Sequence, residues 1–471
     1  MKLSILSSVS IAALLVAAPA VAQNNNSTVG QNGKYQTAEV NQSGSDGTSL
    51  IDQEGEYQIA RVAQDGDSAN STVDQLGNSN RAIVDQDGDS DSTITQNGWN
   101  NGASVQQDGD QNVSTVNQQG SSNEVSTAAS PHVGLIQDGT GNSSSVDQLF
   151  SDAEANVFQT GNANSSTVLQ QDDAGSAAFV TQNGDDNDSS VTQNSAGAIA
   201  NVIQENSGNV SELTQGRSAG NAFQTNGQQA LISQTGSDNS SVATQSGSSG
   251  DLNVSQAGNN NLSNVLQSGF DNAAGDDFGA VGVNQDGNDN EAQVVQSGQL
   301  SDAFIDQVGD SNYAEVNQGV NNAPNPAGGN DPRVATASVI QSGNGNGSEI
   351  NQYGGSGTVS ARLMSASTDQ SGDGNTSLIN QTNNLITAAA SSNDADVDQS
   401  GDDNDSDIFQ NGAGNDALVQ QFGNDNNSVL SQIGSGNAAT VSQYSDGNSS
   451  TVAQYGTNNS AIVTQGLPQS N

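Results

Sequence analysis

The chain has 471 residues, with 52 acidic side chains against 7 basic ones, a formal net charge of −45 and no cysteine. That balance excludes a nucleic-acid partner, because such binding rests on neutralising phosphates with Lys and Arg, and it disfavours anionic lipid surfaces. The lack of cysteine excludes a disulfide framework and thiolate metal sites.

In chain order, Lys2, the apolar run from Leu3 to Ala18 and the small residues Ala20-Val21-Ala22 predict a secretory signal peptide over 1–22. The mature chain then starts at Gln23, with a short tail over 23–26. The apolar run is shorter than the about 20 residues a spanning helix needs, and no later stretch is long and apolar enough, so no transmembrane span is expected. The product is expected to be secreted, extracellular or at the cell surface.

From 27 to 466 the chain keeps a register. Gln31, Gln42, Gln53, Gln64, Gln75, Gln86, Gln96, Gln107 and Gln118 open a series that Gln432, Gln443, Gln454 and Gln465 close. It has 37 glutamines, and 27 of their 36 intervals are 11 residues. Two residues before the Gln stands an aliphatic residue, as at Val40, Ile51, Val62, Val73 and Val84. Four before it stands a small one, as at Ala38, Ser49, Ala60, Ser71 and Ala82. Gly follows two residues after the Gln, and Asn five after, as at Asn80, Asn101 and Asn112. With 31% hydrophobic and 3% aromatic residues, composition alone suggests disorder, but a disordered chain has no reason to hold a register.

The unit small-x-aliphatic-x-Gln-x-Gly alternates with period two, the pattern of a strand with one buried face. Gly supplies the turn. An 11-residue helical repeat is the competing reading, and Gly, Asn, Ser and Val at these densities oppose it. The predicted fold is therefore all-β: a β-solenoid of about 18 two-strand rungs built from 11-residue half-repeats with amyloid-like cross-β stacking. One dependable aliphatic side chain per arm buries too little surface to order the chain, so backbone ladders and stacked amides must supply the rest. Whether successive arms pair in one sheet or face each other across a core stays open. Interruptions are expected near 121–136, 270–282, 319–336, 354–368 and 382–396, and a C-terminal tail over 467–471. Pro131, Pro324, Pro326, Pro332 and Pro468 all lie outside the strand units, where a lost donor does no harm.

The spacing Gln-x4-Asn-x5-Gln, present at Gln75-Asn80-Gln86, Gln96-Asn101-Gln107 and Gln107-Asn112-Gln118, resembles the curlin repeat of bacterial curli fibre subunits. The Gln-x-Gly step and the Ser inside the strand match as well. This chain resembles an unusually long member that lacks the Gly-rich segment usual before the repeats. The resemblance implies strand-turn-strand rungs with stacked Gln and Asn ladders, and a role in extracellular amyloid-like fibres for biofilm matrix and adhesion. It also implies self-association or association with other curli-like subunits, and export through an outer-membrane secretion channel. The alternative is a non-polymerising extracellular β-solenoid adhesin or binding rod for carbohydrate or calcium.

No enzyme and no cofactor is expected. His132 is the single histidine, so no Ser-His or Cys-His nucleophile system has support. The best metal candidates are the alternating Asp85, Asp87, Asp89 and Asp91, which offer hard oxygen ligands for calcium. They lack the Gly and distal Glu of a calcium loop and read better as solvated turn charges. Trp99, Tyr35, Tyr57, Tyr353, Tyr444 and Tyr455 fall in turns at different phases and predict no continuous binding stripe.

Overall fold

A computed structural model describes residues 24–125, 134–171, 175–216, 227–248, 250–270, 273–274, 282–299, 301–322, 335–357, 364–383 and 392–466. The expected signal peptide and C-terminal tail, His132, the five prolines named above and the centres of the five expected interruptions lie outside them. The chain divides into two compact units, Met1–Ala174 and Gly175–Asn471.

In the first unit the repeat opens with the strand Asn26–Lys34, a tight turn, and the strand Thr37–Gln42. These are the first and second arms of one rung. The next rung is Thr48–Glu56 and Ile59–Gln64. First arms pair only with first arms, parallel and in register, so that Gln31 lies beside Gln53 and Gln53 beside Gln75. Second arms do the same, with Val40 beside Val62 and Val62 beside Val84. The two arms of a rung therefore face each other across a core and belong to different sheets. Along each arm burial alternates, as in Thr48–Glu56, where Ser49, Ile51 and Gln53 point inward. Val and Ile suit this pleated, half-buried surface because their χ1 is already restricted.

The second unit repeats the plan from Ala177–Asn183 and Asp188–Gln193 to the last rung, Ser449–Thr457 and Ser460–Gln465. Among the described residues eighteen first arms are present, matching the number of rungs expected, and every described pairing is parallel. The small inward position differs between arms. Most first arms carry Ser there (Ser49, Ser71, Ser92, Ser241, Ser406), and most second arms carry Ala (Ala60, Ala82, Ala178, Ala417). Many of these buried Ser hydroxyls, Ser71 and Ser241 among them, have no hydrogen-bond partner, and nothing in the structure accounts for that choice over Ala.

The two turns differ. Between a second-arm Gln and the next first-arm Gln the spacing is 11 residues throughout, apart from 10 at Gln86–Gln96. All interruptions fall on the other side, between first and second arm or inside the start of a second arm. They are narrower than expected, because strand pairing runs into each. Glu124–Val125 and Leu135–Asp138 both pair with Gly102–Asp108, so one arm's pairing is shared between two short strands. Ala273–Ala274 pairs within the expected 270–282 loop. Likewise Tyr313–Asn322, Gly347–Gly357, Met364–Ser371 and Asn393–Ser400 are strands extending into the next three. A further interruption, 217–226, was not expected. The ladder steps 30 residues there, from Gln204 to Gln234.

Candidate functional site

The features that recur at every rung are the amides. In the first arms of the first unit Gln31, Gln53, Gln75, Gln96, Gln118, Gln148 and Gln170 form one ladder, each Nε2 donating to the Oε1 of the next at 2.7–2.9 Å. Gln42, Gln64, Gln86 and Gln107 form the second-arm ladder at 2.7–3.0 Å. The second unit has corresponding ladders, which end at Gln432–Gln454 and Gln443–Gln465. Each amide has a second task. Gln75 Nε2 also donates to the Ile59 carbonyl at 3.1 Å, tying a first arm to the opposite sheet. Because Gln75 is fully buried, this satisfaction is what makes a polar core tolerable.

The turn asparagines make a second pair of ladders, and these run the other way. Asn209 Nδ2 donates back to Asn187 Oδ1, and Asn239 back to Asn209, both at 3.1 Å, while the backbone N–H groups of Asn209 and Asn239 donate to the same oxygens. Asn80, Asn101 and Asn112 sit in the same buried role: the Asn101 N–H donates to Asn80 Oδ1 at 3.1 Å. The residue before each Asn is left-handed, as Ser79, Asn100, Gln111 and Asp238 are (φ 56–60°). This explains why Asp, Asn, Ser and Gly crowd that place.

The turn aspartates do more than repel. Asp110 accepts the Asp89 N–H at 3.1 Å. In the second unit Asp373 donates its N–H to Asp402, and Asp402 its own to Asn424, at 3.0 and 2.9 Å. Asp85, Asp87, Asp89 and Asp91 are all exposed, and among the described residues no group of three or more His, Cys, Asp or Glu is placed to hold a metal. The aromatics are not wholly scattered. Tyr35 stacks on Tyr57 with centroids 4.9 Å apart, and Phe422 on Tyr444 at 5.7 Å. The 22-residue spacing of each pair was legible once arms alternate.

In-register stacking also sets like charges side by side on the outer faces. Asp369 lies beside Asp398, Asp394 beside Asp416, and Asp52 beside Asp74. Partial burial, reinforced by Asp369, holds the Asp398 carboxyl above the ordinary range. Asp394 is raised by burial, then by Asp396 and Asp416, against hydrogen bonds from Ser365 and the Ala395 backbone that lower it. Asp74 is raised by burial and by Asp52, and Asp407 by burial and by Asp405. Asp67, hydrogen-bonded by Ser45, is lowered, but it is fully exposed. A carboxyl raised in the folded state takes up its proton more readily there than in the unfolded chain. Its penalty is thus full at neutral pH and relieved as pH falls through the raised values towards about 4. The urea midpoint is expected to be higher at about pH 4.5 than at about pH 7.5. Combining Asp394→Asn with Asp398→Asn should flatten that slope, and an unchanged slope would mean the stacked carboxyls do not set it.

Four stretches match the model of the curlin-associated repeat: 59–88, 226–258, 401–434 and 434–466. All four span three successive arms, as 59–88 spans Ile59–Gln64, Asn70–Asn78 and Arg81–Asp87, and 226–258 spans Gln229–Thr235, Ser240–Ser248 and Asp251–Ala257. No curated protein matches the chain. Matched at four places and keeping one register of inward Gln, aliphatic and small residues between them, the chain carries the curlin-associated repeat.

Proposed function

We propose that the chain is a secreted structural protein whose copies join end to end into extracellular amyloid-like fibres that serve matrix and adhesion. The observation that carries this is the likeness of its two end rungs. The first presents Ser27, Val29 and Gln31 from one arm and Ala38, Val40 and Gln42 from the other. The last presents Ser450, Val452 and Gln454, then Ala461, Val463 and Gln465. Among the described residues no strand pairs with the outer edge of either rung. Unpaired strand edges are templates for another chain, and here each template has the side-chain order of its complement. The amides agree in sense: Gln454 and Gln465 would donate onward as every interior Gln does, to Gln31 and Gln42 of a second copy. The net charge of −45 opposes sideways clumping and leaves the ends as the route of growth. Export through an outer-membrane channel belongs to the same proposal and rests on the family resemblance.

The mature chain from Gln23, incubated near neutral pH, is expected to give dye-positive fibrils with the about 4.8 Å repeat of stacked strands. Val463→Lys should slow elongation sharply while leaving the strand content of the monomer unchanged. A wild-type chain that stays a monodisperse monomer sinks the polymer reading and spares the solenoid.

A further inference from the structure

The outer face of the second arms in the first unit is not uniformly filled. One outward column reads Ile59, Arg81, Gly102, Glu124, each beside the next in register. Gly102 has no left-handed φ to require it, and a Cβ there would meet nothing within 4 Å. It leaves a gap in a row of large side chains, with a guanidinium on one side and a carboxylate on the other. The neighbouring column passes from Ile83 to Ser104. Together these positions floor a cleft of about 540 Å³ that crosses four successive rungs, with Tyr57 at one end and Asn100 on its wall. Tyr57 is 56% exposed and braced by its stack on Tyr35, so it offers a flat, fixed aromatic face.

We infer that this cleft binds a neutral pyranose chain laid along the stacking axis. The length fits a short oligosaccharide, since four rungs span about 15 Å. The chemistry fits a sugar's two characters. Tyr57, Ile59 and Ile83 suit the apolar C–H faces of pyranose rings, and Arg81, Asn100 and Glu124 suit its hydroxyls. An acidic saccharide is disfavoured by the charge of the chain. The site is separate from the end rungs and stands whether or not copies stack.

The test uses freshly purified mature chain, kept monomeric, with β-1,4-mannohexaose as probe and an oligogalacturonate of equal length as the acidic comparison. Trp99, the one tryptophan, is exposed and precedes Asn100, so its fluorescence reports binding alongside calorimetry. The wild type binds mannohexaose. Gly102→Val fills the floor at a strand position that welcomes a β-branched residue, and weakens binding by about tenfold or more with an unchanged urea midpoint. Tyr57→Asn, which keeps a residue tolerant of the left-handed backbone, weakens it by a similar factor and serves if the first variant misfolds. The inference is overturned if the wild type does not bind mannohexaose, if oligogalacturonate binds as well or better, or if a folded variant binds as tightly as the wild type.

Discussion

Gln75→Leu is expected to destabilise the first unit by about 3–5 kcal/mol, where Gln465→Leu costs about 1 kcal/mol or less. Leu is close to Gln in volume, so little packing is lost. What goes is hydrogen bonding at a fully buried place. Gln75 Oε1 accepts from Gln53 at 2.8 Å, and its Nε2 donates to Gln96 Oε1 at 2.7 Å and to the Ile59 carbonyl. Each buried group left without a partner costs about 1–3 kcal/mol, more than a bond contributes when both partners vanish together. At Gln465 the same amide stands at an open edge, where water replaces what is missing. Urea unfolding supplies the comparison, and hydrogen exchange should place the weakening in the rungs around Gln75. Equal losses at the two positions would mean that the ladder amides are not what holds the core.

The second large effect is steric. Gly434 has φ 124°, and a Cβ there would sit inside the van der Waals radius of the Gly456 carbonyl oxygen one rung on. Backbone cannot withdraw without breaking the ladder between Asn427–Ser435 and Ser449–Thr457. Gly434→Ala is expected to cost more than about 4 kcal/mol and to raise hydrogen exchange through the final rungs. Gly345 is the control. It is also left-handed, at φ 66°, but a Cβ there meets nothing. Gly345→Ala should cost only about 1–2 kcal/mol, the intrinsic penalty of that conformation. Gly345→Asn should cost less still, because Asp403 and Asp425 hold the equivalent place in later turns. If Gly434→Ala proves as mild as Gly345→Ala, rung contact is not what selects the glycine.

Much of the architecture was legible because the repeat is local. A strand announces its buried face within five residues, so Val73 and Gln75 could be read as inward without knowing their partners, and the burial pattern of Asn70–Asn78 agrees. Pairing was harder to see because partners lie 22 residues apart with a different arm between. The clue was the alternation of Ala38, Ser49, Ala60, Ser71 and Ala82, which marks two kinds of arm and hence two sheets. The break at 217–226 escaped notice because the register resumes on both sides of it. The short strand Glu124–Val125 escaped for another reason: two residues are too few positions to display alternation. The cleft at Gly102 was invisible in one dimension, since it depends on Arg81 and Glu124 standing on either side of a residue that is 21 positions from one and 22 from the other.

The opposed sense of the two sets of ladders bears on length. In an α-helix every peptide dipole points the same way, and charge accumulates at the ends as a macrodipole. Here the Gln carboxamides donate onward and turn their oxygens toward the N-terminal rung, whereas the turn Asn oxygens face the C-terminal rung and accept from the next Asn, with the Asn Nδ2 also reaching the Gly carbonyl one rung on. Each new coil contributes both orientations, so its side-chain polarisation largely cancels within itself. A stack of this kind can be extended by gene duplication, or by adding a second molecule, without its termini becoming steadily more polarised.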